Sequence, residues 1–74
     1  MMLVTVNQIA LAKKRVKIAR SERLRLAIVA HSIPRADVIR REDAIGEWVV
    51  AYHTHKATIA HLARITGPDY VVAK

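Results

Sequence analysis

Hydrophobic residues recur every three or four positions through most of this chain, and polar residues fill the places between them. The pattern is strongest in the second half, where two series with a spacing of seven interleave over four heptads. The first series is Val38, Ile45, Tyr52, Ile59 and Thr66. The second is Arg41, Trp48, His55 and Leu62, and an adjoining set, Ala44, Ala51, Thr58 and Ile65, widens the stripe. This periodicity predicts an amphipathic helix near residues 37–66.

The first half opens with two signals for the N-terminus of a helix. Thr5 and Gln8 have the spacing of a capping box, and Val4 and Ile9 have that of a hydrophobic staple. No Gly or Pro follows before Pro34, and the residue before a proline is biased away from helix. We therefore predict a first helix near residues 6–31, although a split near its middle is an alternative, and a loop near 32–36.

Gly67 and Pro68 predict the end of the second helix, with Gly67 in a left-handed cap. The tail, residues 67–74, is short and rich in β-branched side chains. It is expected to be extended and either to pack over the end of the helices or to pair with residues 2–6 as a minor strand.

Two long helices joined by a short loop predict an antiparallel hairpin, in a single all-α domain that spans residues 1–74. A chain of 74 residues is marginal as a monomer, and two helices alone leave apolar surface uncovered. We therefore expect a homodimer that forms a four-helix bundle. The core of hairpin and dimer is predicted to contain Val38, Ile45, Trp48, Tyr52, Ile59 and Leu62.

Composition narrows the class of protein. The chain has no cysteine, which excludes disulfides and thiolate metal sites and fits a reducing compartment. It has no apolar run long enough to span a membrane and no signal-peptide pattern at its N-terminus. We interpret the protein as cytoplasmic.

The net charge of +7 is concentrated in one segment, since residues 13–25 contain seven Lys or Arg and a single acid, Glu22. On a helical wheel five of these seven cations occupy one half of helix 1, whereas the other two, Arg15 and Arg23, interrupt the apolar half. A face of one sign is atypical of a merely solvated helix and favours a partner with phosphates or carboxylates. The candidate contacts to nucleic acid or to an acidic partner are Lys13, Lys14, Lys17, Arg20 and Arg25.

Two functions follow as hypotheses. The first is a small regulatory protein that binds nucleic acid through the basic side of helix 1. The alternative is a protein-binding modulator, an inhibitor or anti-activator such as phages encode, which docks on a larger regulator or motor. Trp48 and Tyr52 are expected in the core, with a role in base stacking or partner binding as the alternative. A helix-turn-helix is disfavoured, since two windows match it only in part and one leaves no room for a recognition helix.

Catalysis and metal binding find little support in the sequence. His53 and His55 point about 200° apart on a continuous helix, so they cannot hold one ion together. His55 is expected in the core or at its rim. No nucleophile motif or phosphate-binding loop is present. We therefore expect no enzyme activity, cofactor, metal or small-molecule substrate.

Overall fold

The computed structural model describes residues 2–73, which form two long helices and two short strands. The order is β1 (Met2–Thr5), α1 (Val6–Ser32), α2 (Val38–Ile65) and β2 (Tyr70–Ala73). The predicted helical hairpin is confirmed, with bounds within one residue of those expected. The all-α class is not, because the two ends of the chain form a two-stranded sheet. α1 is continuous, without the alternative split near its middle.

Local signals set the ends of both helices. The Thr5 hydroxyl accepts a hydrogen bond from the backbone N–H of Gln8 at 3.1 Å, and the Gln8 side chain accepts one from the backbone N–H of Thr5 at 2.8 Å. The capping box is therefore confirmed. α1 ends at Ser32, and the cap residue Ile33 has the extended backbone that a following proline favours. Asp37 then caps α2 by accepting from the N–H of Arg40.

The helices pack through one seam on each, with alternating spacings of three and four residues. The α1 seam contains the buried or half-buried residues Ile9, Ala12, Val16, Ala19, Arg23, Leu26 and Ala30. The α2 seam contains Arg41, Ala44, Trp48, Ala51, His55, Thr58, Leu62 and Ile65. This spacing is that of a coiled coil, and its alanines allow the two helices to approach closely.

The seam of α2 differs from the predicted core. It joins the second heptad series to its alanine-rich neighbours, and it leaves most of the first series on a flank. Val38, Ile45 and Ile59 are 57%, 43% and 46% exposed, so the hairpin alone does not bury them. Trp48, Tyr52 and Leu62 are half-buried. Burial of the three exposed residues in a dimer is an expectation from the sequence that the hairpin alone does not test, and the dimer proposed below has its interface on the opposite side of the seam from Ile45.

The tail pairs with the start of the chain, which is one of the two expected arrangements. β1 and β2 run parallel, with Met2 opposite Tyr70 and Val4 opposite Val72. Val4 is 2% exposed and packs with Ala12 and Ile65 in a small core below the sheet. The sheet therefore closes the end of the hairpin where the two termini meet.

Gly67 does not adopt the left-handed conformation that we predicted, since no residue in the described part of the chain has a positive φ. Thr66 caps α2 instead, and its N–H donates to the carbonyl of Leu62. A Cβ on Gly67 would lie 3.2 Å from the carbonyl oxygen of Ala63 and 3.3 Å from that of Arg64. The glycine is thus favoured by close backbone approach.

Candidate nucleic-acid interface

The cations of α1 are divided by the packing of the hairpin. Lys13, Lys17 and Arg20 lie within about 60° of one another on the helix and are all exposed. Ala27 follows Arg20 by seven residues, close to two helical turns, so both lie on the same side of α1. Ala27 lines a cleft with Ile45 and Trp48 of α2. The three cations therefore flank the seam on the side where α2 presents its aromatic residues.

On that same side, two cations lie close to the ring of Tyr52 of α2. The guanidinium of Arg23 lies 4.9 Å from the centre of the Tyr52 ring, and the ammonium of Lys56 lies 5.4 Å from it. Trp48 stacks on Tyr52 with ring centres 5.4 Å apart. The distances from the two cations to the Tyr52 ring suit cation–π attraction. Tyr52 thus links a cation from each helix on one side of the hairpin.

We call this surface the basic face and define it by five residues: Lys13, Lys17, Arg20, Arg23 and Lys56. None of the five forms an ion pair with another residue in the range 2–73, where the salt bridges are Arg25–Glu22 and Arg40–Asp37. Five positive charges therefore lie together without neutralisation.

The six acidic residues of the chain lie away from the basic face. Glu22 pairs with Arg25, and Glu47 lines a groove on the opposite side of the seam. Asp37 caps α2, with Glu42 and Asp43 in the turns that follow near the loop, and Asp69 precedes β2. The separation of sign predicted from the sequence is thus kept in three dimensions.

Two of the predicted contact residues lie elsewhere. Lys14 is exposed on the back of α1, opposite the seam. Arg25 lies further round and donates from Nε to Glu22 at 3.2 Å, with a second contact from Nη2 to the same carboxylate. This hydrogen bond lowers the pKa of Glu22 below its ordinary value of 4.5. Arg25 is therefore already neutralised by a carboxylate.

Two residues of the basic face were absent from the sequence prediction. Lys56 follows Tyr52 by one helical turn, and this spacing could have indicated that the two share a side. Arg23 appeared only as an interruption of the apolar half. Its Nη1 donates to Nδ1 of His55 across the seam at 3.1 Å, so its charge is held between the two helices.

His55 is 7% exposed, which confirms its expected place in the core. A guanidinium has only donors, so Nδ1 of His55 is the acceptor in this contact. Arg23 and His55 are thus a polar layer at mid-height of an otherwise largely apolar seam. The layer fixes where the charge of Arg23 emerges on the basic face.

The opposite side of the seam is an apolar groove of about 510 Å³. Its floor is made of small side chains, and its walls carry exposed aliphatic ones. Ile18 and Val50 are 59% and 67% exposed. The groove is lined by Arg15, Ile18, Ala19, Glu22, Leu26, Glu47, Val50, Ala51, Thr54 and Thr58. We call this surface the groove face.

Residues 2–73 contain no group of three or more His, Cys, Asp or Glu side chains arranged to hold a metal ion. Within the same range, neither helix has an apolar stretch of the length and hydropathy needed to cross a bilayer.

Searches of protein-family models, of curated proteins and of solved structures found no match to this chain. The evidence on its function therefore comes from the geometry of its own residues.

Proposed function

We propose that this chain is a small non-catalytic regulatory protein that binds nucleic acid through its basic face and acts as a homodimer. The observation that carries the proposal is the grouping of five cations without an acid on one side of the hairpin. Lysine and arginine side chains neutralise phosphates and release counterions, which favours binding at low salt.

The spacing of the cations supports contacts with successive phosphates. From Lys13 to Arg23 the helix rises about 15 Å, over which one strand of a DNA duplex carries about four phosphates. Lys56 adds a cation from the second helix, beside Tyr52. The helices present no recognition element to a base edge, so we expect phosphate contacts to dominate and sequence preference to be small.

The test is a fluorescence anisotropy titration of labelled duplex DNA and single-stranded RNA at 50–300 mM salt. If four or five phosphates are contacted, the log–log salt slope for duplex DNA should be about −4. The triple variant Lys13→Glu, Lys17→Glu, Arg20→Glu should lose most of the affinity at 50 mM salt and keep a slope no steeper than about −2.

A second triple variant, Lys14→Glu, Arg35→Glu, Arg64→Glu, is the matched control. It lowers the net charge by the same six units, but its three exposed side chains lie away from the basic face. It should retain affinity within about tenfold of the wild type. Equal losses of affinity in both triple variants would show that binding depends only on net charge and not on the basic face, which would contradict the proposal. Flat titrations of the wild type at 50 mM salt would also refute it.

An acidic protein is the second candidate partner for the basic face. Ile45 and Ile59, 43% and 46% exposed, flank Tyr52 along α2 and offer apolar contacts that phosphates do not use. Binding to such a partner should resist salt and fail on Ile59→Asp, whereas nucleic-acid affinity should change little beyond the added charge. The cytoplasmic location and the lack of a small-molecule substrate stay predictions from the sequence.

A further inference from the structure

The hairpin exposes more surface than a folded monomer of its mass should. Its accessible area is 5905 Å², whereas the area-to-mass relation of folded monomers gives about 4,600 Å² for 8.3 kDa. The excess of about 1,300 Å² exceeds the roughly 800 Å² that each partner buries in a stable complex. The excess area is thus large enough to accommodate an interface with a second layer of helices.

The two sides of the seam are not equally suited to face a copy of themselves. Pairing two basic faces would bring ten cations together without a carboxylate, which like-charge repulsion disfavours. The groove face has charges of both signs, because Arg15, Glu22 and Glu47 all line it, and Glu22 also pairs with Arg25 beside it. Of the two faces, only the groove face is therefore electrostatically suited to pairing with a copy of itself.

The order of charges along α1 makes the groove face complementary to itself. Arg15 and Glu22 are seven residues apart and line the same groove, with their midpoint between Ile18 and Ala19. A twofold axis that lies in the interface above that midpoint, perpendicular to the helix, reverses the direction of α1 in the second copy. Arg15 then faces the partner's Glu22, and Glu22 faces the partner's Arg15.

The shape of the groove suits the same arrangement. Small side chains at Ala19, Ala51 and Thr54 leave a hollow between the helices, and the aliphatic side chains of Ile18 and Val50 project beside it. A surface with a hollow and projecting aliphatic side chains is suited to packing against another helical layer, as knobs enter holes in helical bundles.

We propose that a second copy of the chain covers the groove face, so that the two basic faces point outward on opposite sides of the dimer. The dimer then binds two nucleic-acid segments at once and bridges them. The interface stands on its own observations, whereas bridging rests on the proposed function of the basic face.

Sedimentation equilibrium of the full chain at 1–200 μM and 150 mM salt tests the interface without nucleic acid. The wild type should be a dimer. Arg15→Glu and Glu22→Arg should each raise the dimer dissociation constant at least tenfold, and the double swap should return it to within about threefold of wild type. A monomeric wild type at 200 μM, or a double swap no better than the single changes, would overturn the interface.

A pair of apolar variants keeps the test independent of the charges. Ile18→Asp on the groove face should give a monomer, whereas Ile45→Asp on the other side of the seam should remain a dimer. Circular dichroism of each variant checks that the helices are retained. The reverse pattern would place the interface on the basic side and contradict the proposal.

Bridging is measured by energy transfer between donor-labelled and acceptor-labelled DNA duplexes mixed with protein. The wild type should produce transfer, and Ile18→Asp should abolish it while still raising the anisotropy of a single duplex. Transfer that is absent although the protein dimerises and binds DNA would refute bridging alone. A dimer without any DNA binding would refute the proposed function and leave the interface intact.

Discussion

At the scale of single residues, the Arg23–His55 pair is the least expected feature of the hairpin. Arg23 Nη1 lies 3.1 Å from His55 Nδ1, in the middle of a seam whose other layers are largely apolar. A buried polar layer of this kind stabilises little by itself, because desolvation offsets the hydrogen bond. Its consequence is positional, since it holds the guanidinium 4.9 Å from the centre of the Tyr52 ring.

We predict that His55→Leu lowers the free energy of unfolding by about 1 kcal/mol, because the half-buried guanidinium loses its acceptor. The double variant Arg23→Leu, His55→Leu should instead be more stable than wild type by about 1–2 kcal/mol, since the seam becomes continuous and apolar. Urea unfolding of the wild type, both single variants and the double variant measures the coupling. A double variant less stable than the wild type would contradict this account.

At the scale of secondary-structure elements, short-range signals account for where the helices begin and end. The capping box at Thr5 and Gln8, the extended residue before Pro34 and the Asp37 cap each act within four residues of the chain. For this reason both helices could be located from sequence. The rotation of each helix about its own axis could not be located in this way, because it depends on packing against the other helix.

The N-cap of α1 gives a test at this scale. Thr5→Ala removes the acceptor for the N–H of Gln8 and should lower the free energy of unfolding by about 1 kcal/mol. Thr5→Ser keeps a hydroxyl at the same place and should recover most of that loss. Urea denaturation followed by circular dichroism provides both values. Equal destabilisation by the two substitutions would show that the strand contact of Thr5, and not its cap, is responsible.

At the scale of the whole molecule, the hairpin is long and flat, with extents of 56, 16 and 11 Å. Six hydrophobic residues are buried within the range 2–73, three of them alanines, and no large side chain in that range is fully buried. A core this thin leaves much of the apolar surface in water. The stability of the fold is therefore expected to depend on association.

The melting temperature of an associating protein rises with its concentration, because mass action favours the folded dimer. Between 5 and 500 μM we expect the wild type to gain about 5–10 °C. Ile18→Asp, which should be monomeric, is expected to melt at a lower temperature that does not change over this range. A melting temperature of the wild type that is independent of concentration would argue for a stable monomer.

The sequence by itself determined the helices, the hairpin and the concentration of positive charge in residues 13–25. These follow from caps, breakers and periodicity, which act between neighbours along the chain. It also gave the pairing of the two chain ends as one of two options, because β-branched residues favour extended structure without choosing a partner.

Only the tertiary structure decided which stripe of α2 faces α1. The first heptad series is the more apolar of the two, yet the structure turns the second toward α1, with Trp48 lining a cleft beside Ala27 and Ala30 of the facing helix. That rotation moves Ile45 and Ile59 to the flank and brings Tyr52 and Lys56 to the side of Lys13, Lys17 and Arg20. The basic face is thus built by two helices, and the spacing of residues along one helix could not reveal it.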